Sequence, residues 1–150
     1  VAAFAHLREE AARGARLRFS CFRRREENAW ASALAAVLPV PTETPDPSAP
    51  GPFAFGDPAR VEAILAAGEW SEIAFEPVDY AMIAGQGGDA VDEALAYFQR
   101  IGPAARAIAE LPEADRPGVR DRLRAMLASH HADDQVAMPA AAWIVTAAAR

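Results

Sequence analysis

Between Arg13 and Phe22 the chain alternates residue by residue. Leu17, Phe19 and Cys21 are interleaved with Arg16, Arg18 and Ser20, and Phe22 breaks the pattern. A period of two fits a β-strand with one buried face, because successive side chains of a strand point to opposite sides. Before it, Val1 to Ala12 carries Phe4, Leu7 and Ala11 at helical spacing, and Gly14 stands where a left-handed cap would close that helix. A helix, a glycine and a strand make an αβ unit, so a sheet overlaid by helices is expected. Such a unit normally follows an earlier strand, and none precedes this helix. The expectation is a chain that starts within a domain.

The pattern recurs. Asn28 can cap a helix running through Trp30, Leu34 and Val37, which Pro39 ends. Pro39 to Pro52 is too rich in proline for helix or ladder and predicts an extended, polyproline-like path, of the length a lid or linker would have. Asp57 and Pro58 are an N-cap and first helical residue; Val61, Ile64 and Leu65 give that helix its buried stripe, and Gly68 its stop. Trp70 to Tyr80 then reads as a strand, with Pro77 marking an edge or a bulge. After Gly85 to Ala90, Asp89 caps a helix whose inner face is Val91, Leu95 and Phe98, broken at Gly102-Pro103. Val119, Leu123, Met126 and Leu127 predict another helix, with His130 to Asp134 as its polar exit. Ala140 to Ala149 is nearly all apolar, as a strand in the middle of a sheet would be.

One hundred and fifty residues suit a single domain. The net charge of −6, with no basic stripe, argues against nucleic-acid binding. No apolar run is long enough to span a membrane. The single cysteine excludes an internal disulfide and fits a reducing, cytoplasmic setting.

Candidate chemistry is sparse. Gly85-x-Gly87-x-x-Ala90 matches the dinucleotide fingerprint between a strand and a helix. No short strand with an acidic end follows, and Asp89 would face the phosphates, so the stretch reads as a connection. His130, His131, Asp133 and Asp134 lack a second cluster to complete a metal shell; no metal is expected. Cys21 alternates onto the apolar side and reads as a small buried residue. Arg23, Arg24 and Arg25 could take an anion, but Glu26 and Glu27 neutralise them. Among Trp30, Phe53, Phe55, Tyr80, Tyr97 and Phe98, two or three are expected to line an apolar pocket.

Several motifs, in order and spanning essentially the whole chain, resemble one family. They are Ala3-Phe4-Ala5-His6-Leu7-Arg8, Gly14-Ala15-Arg16-Leu17, Cys21-Phe22-Arg23, Glu27-Asn28-Ala29-Trp30, Gly51-Pro52-Phe53-Ala54-Phe55-Gly56-Asp57-Pro58, Glu76-Pro77-Val78-Asp79 and Ala142-Trp143-Ile144-Val145-Thr146-Ala147. Together they resemble the C-terminal portion of class I S-adenosylmethionine-dependent methyltransferases of the small-molecule type. The resemblance implies an α/β fold: the last three strands of a Rossmann-like sheet, the final one antiparallel between the other two, with a helical cap over the substrate pocket. Two departures stand out. The family's glycine-rich loop and its ribose-holding acidic residue would lie upstream of Val1, so no cofactor-binding residue is expected in this chain. Ala67-Gly68-Glu69-Trp70 also looks like a one-residue insertion before the second strand.

The expected division is one partial domain: a helix and strand over 1–23, a cap or lid over 24–56, a helix and strand over 57–80, a helical cap over 81–139 and a final strand over 140–150. The function implied is methyl transfer from S-adenosylmethionine to a small organic substrate, this chain supplying the substrate side and being inactive alone. Arg23, Asn28, Trp30, Phe53 and Phe55 are the expected pocket lining. The expected partner is a missing N-terminal half, or a second copy joined through the strand at Leu17. Two other readings stay open: a non-catalytic α/β binding or assembly module, and a nucleotide-binding protein using Gly85 to Ala90.

Overall fold

The structure, a computed structural model, describes residues 1–39 and 50–150. Residues 40–49 of the polyproline-like path expected over Pro39 to Pro52 fall outside them. Three long strands form an open sheet: β1 (Arg16–Phe22), β2 (Trp70–Gln86) and β4 (Gln135–Ala149), with a two-residue strand β3 (His131–Ala132) beside β4. β4 is antiparallel to both β1 and β2 and lies between them. β1 and β2 therefore run parallel, each at an edge. The chain is α/β, and its apolar final strand is central, as its composition demands.

Among the described residues six α-helices accompany this sheet: α1 (Ala2–Glu10), α2 (Ala29–Val37), α3 (Pro58–Ala67), α4 (Ala90–Arg100), α5 (Gly102–Glu110), which packs on α4, and α6 (Arg116–Ser129). Their boundaries follow local chemistry. Asp57 accepts from the Ala59 N–H at 3.2 Å and Pro58 opens α3. Ile101 separates α4 from α5, which Gly102 and Pro103 open. Two expected caps form differently. Gly14 has φ of +82°, but α1 has already ended at Glu10, so the glycine turns the chain into β1. Asp89 makes no side-chain cap; Glu93, one turn into α4, instead accepts the Gln86 N–H at 2.9 Å.

Both β2 and β4 are longer than their sequence suggests. β2 was expected to end at Tyr80 and runs to Gln86; β4 was expected from Ala140 and begins at Gln135. Bulges between Ser71 and Ala74 and between Ile83 and Gly85, each with the extra residue on β2, disturb the alternation that would have shown its full length. His130 to Asp134 is not a helix exit alone. Ala132 pairs with Gln135, so Asp133 and Asp134 are a two-residue hairpin loop, with φ of 48° and 58°.

The side chains of β4 alternate between two cores. Val136, Met138 and Ala140 join Trp30, Leu34, Leu95, Phe98, Leu123 and Leu127 on one face, under α2, α4 and α6. Val145, Ala147 and Ala149 join Val61, Leu65, Phe4 and Phe19 on the other, under α1 and α3. The cores are offset along the strand. On the first face, beside the second core's half of β4, Arg16, Arg18, Ser20, Ala74 and Glu76 stay exposed.

Candidate functional site

The first core opens at the carboxyl end of β1. Phe22, the last residue of that strand, has its ring 5.3 Å from Trp30 and 5.8 Å from Phe53. Trp30 and Phe53 stack at 5.3 Å with an interplanar angle of 28°. Around them Ala31, Leu34 and Leu38 from the α2 segment, with Pro52, Pro103 and Arg25, enclose a slot of about 100 Å³. That is the scale of a cavity for one small ring. The slot is apolar except at Arg25, and its aromatic walls suit a flat or aliphatic group.

Asn28 lies beneath the slot and holds it. It is fully buried, yet every polar atom of its side chain is engaged. Its oxygen accepts from the Trp30 indole N–H at 3.1 Å and from the Ala141 N–H of β4 at 3.0 Å. Its amide donates to the Arg23 and Arg24 carbonyls at 3.3 and 3.0 Å. With its bonds all internal, Asn28 orients Trp30 and leaves nothing for a ligand. It precedes α2 without capping it.

Arg23 turns to the opposite face. Its side chain is 18% exposed, paired with Glu27 and with Asp79 at 3.0 Å, and its guanidinium lies over the Trp143 ring at 5.2 Å from the centroid. The hydrogen bond from Arg23 holds the Glu27 carboxyl below the usual carboxylate range, and the same bond raises Arg23. Phe55 is also on that second face, its ring 6.0 Å from Phe4 and 6.4 Å from Phe19. Of the five expected residues, then, Trp30 and Phe53 share the slot, Asn28 supports it, and Arg23 and Phe55 stand elsewhere. Pro103 in the slot lining, and Phe22 packed against the Trp30 and Phe53 rings, were not anticipated. Phe22 carried a signal, since it breaks the alternation where a strand ends.

Cys21 is half-buried, its thiol 3.5 Å from the Phe55 carbonyl oxygen, and desolvation raises its pKa. A raised pKa is the opposite of what an activated thiolate needs. His131 lies in β3 at the hairpin. Among the described residues no group of three or more His, Cys, Asp or Glu could hold a metal ion. No helix among them is long and apolar enough to cross a membrane.

The first glycine of the run is packed against α4, while Gly87 and Gly88 have open space around them. Gly85 is inside β2, and a methyl group there would sit 2.7 Å from the Ala94 nitrogen and collide with the Ala90 carbonyl. Its missing side chain lets α4 lie against the strand, which is why a glycine occurs at that point. A larger groove, about 840 Å³, runs beside this helix along β2, and none of the five expected residues lines it.

Comparison with known proteins finds no matching family model and no curated protein significantly similar to the chain. The site's geometry offers an apolar aromatic slot on a rigid, hydrogen-bonded base, with no activated nucleophile among its lining residues. Nor do the lining residues fit S-adenosylmethionine: they include no open glycine-rich turn and no carboxylate to hold a ribose.

Proposed function

We propose that this chain is the substrate-side portion of an S-adenosylmethionine-dependent methyltransferase of the class I, small-molecule type. The observation that carries the reading is β4, antiparallel between two strands that are parallel to each other, with the Trp30–Phe53 slot at the carboxyl end of β1. Ligands of open α/β sheets sit in that position, outside the strands' carboxyl ends. Trp30 and Phe53 hold an apolar part of the acceptor molecule and exclude water from it, with Phe22 packed against both rings; Asn28 fixes the indole. Alignment of the acceptor is the contribution this chain makes, and alignment alone can supply much of a transfer rate. No residue here is assigned to the cofactor, whose loop and ribose-binding carboxylate the reading places upstream of Val1. The exposed sheet face at Arg16, Arg18 and Ala74, and the free edge of β1, are where that upstream half would pack.

Calorimetry with S-adenosylhomocysteine on the native-length protein tests the cofactor. The reading expects a dissociation constant in the micromolar range, about −8 kcal/mol, unchanged by Trp30→Ala. A folded native-length protein that takes up no S-adenosylhomocysteine contradicts it. An assembly module joined through the strand at Leu17 is then the reading favoured by β1's unpaired edge.

A further inference from the structure

The other edge of the sheet belongs to β2, and among the described residues no strand pairs with it there. Ala141 of β4 donates its N–H to Asn28 and accepts from the Arg23 N–H, so its polar groups point toward β1. Its partner across the ladder, Asp79, therefore turns its own N–H and C=O to the free side. By the two-residue period Ala81 does the same, as does Pro77, whose missing N–H costs β4 nothing there. Beside this edge Ile83, Glu93, Ala96, Tyr97, Arg100 and Ile101 line the 840 Å³ groove. Ile83, Tyr97 and Ile101 are 49%, 42% and 57% exposed, an unusual concentration of large apolar surface.

We propose that a second copy of this chain occupies the groove, its β2 adding antiparallel to this β2 and its α4 packing antiparallel against this α4. The charge pattern of α4 selects a copy of itself over an unrelated strand. Glu93 and Arg100 lie seven residues apart on one flank, with small Ala96 and apolar Tyr97 midway. A two-fold axis between Ala96 and Tyr97 sets each Glu93 against the partner's Arg100, twice, and brings alanine to tyrosine at the centre. Such an interface is isologous, the commonest closed symmetry, and complementary charge fixes its register. Pairing centred on Ala81 uses the outward groups of β2, and Pro77 ends it. The result is one continuous sheet, β1–β4–β2 followed by its mirror order, with no exposed β2 edge left.

Sedimentation velocity of the native-length protein tests this. Wild type is expected to be a dimer at about 10 µM, the range of a modest specific interface. Arg100→Glu and Glu93→Arg each place like charges together and are expected to sediment as monomers, while an equimolar mixture of the two restores dimer mass. Ala81→Pro removes only an outward N–H and is expected to weaken the dimer at least tenfold; it decides the matter if Glu93→Arg fails to fold after losing its bond to Gln86. A wild type that is monomeric at about 100 µM overturns the proposal, as does a dimer undiminished by both Arg100→Glu and Ala81→Pro. A mixture that stays monomeric overturns the antiparallel register.

Discussion

Asn28 shows how one buried side chain sets the geometry of a slot whose walls it does not form. The residue ties β1's exit and the start of α2, its neighbours in sequence, to β4, 113 residues away, and keeps the Trp30 ring in place. Asn28→Ala would leave the Ala141 N–H and the indole N–H buried without acceptors, each costing about 1–3 kcal/mol. A loss of roughly 2–5 kcal/mol is expected in urea unfolding. Its place before α2 suggested a helix cap, and the family resemblance a pocket residue; only the fold shows the β4 backbone beside it. Arg23 and Glu27 form a second local tie, on the opposite face. Because the folded Glu27 carboxyl is depressed, its contribution to stability is present above the ordinary glutamate range of about 4.3 and is lost as pH falls through its lower folded value. Trp143 fluorescence, reporting Arg23 over its ring, is expected to change over that acid window. In Glu27→Gln the change should disappear.

At the scale of elements, the sequence was readable where the period was clean. The alternation of Leu17, Phe19 and Cys21 gives β1 almost to the residue, and caps and prolines locate α3 and the break before α5. It was unreadable where geometry departs from the period. Bulges hide the second half of β2, and the hairpin before β4 lacks the glycine that usually announces such a turn. Asp133 and Asp134 both hold positive φ, which carries a strain of about 1–2 kcal/mol for an L-residue, less for aspartate. Asp134→Gly is accordingly expected to raise stability by up to about 1 kcal/mol, seen as a rise in the thermal midpoint. A fall would mean that the Asp134 side chain, rather than its backbone, holds the turn. After α3, where Gly68 was the expected stop, Glu69 (φ 62°) rather than Gly68 (φ −93°) is the left-handed residue.

Across the whole molecule, two cores sit on opposite faces of β4, displaced along it, so the strand is buried at each end by different helices. Why the final run is so apolar follows directly. Partner faces explain what the sequence kept hidden: whether an aromatic residue joins the slot or the opposite core depends on which side of β4 its segment crosses. Phe53 and Phe55 are two residues apart and end on opposite sides. The measurement closest to the central claim is transfer of labelled methyl from S-adenosylmethionine to a panel of small apolar acceptors by the native-length protein, with Trp30→Ala beside it. The account predicts that at least one acceptor is labelled, and that the variant raises its KM by about tenfold or more, a loss near 1.4 kcal/mol, while its affinity for S-adenosylhomocysteine stays the same. Labelling that Trp30→Ala leaves unaltered, or a folded protein that labels no acceptor, would contradict it.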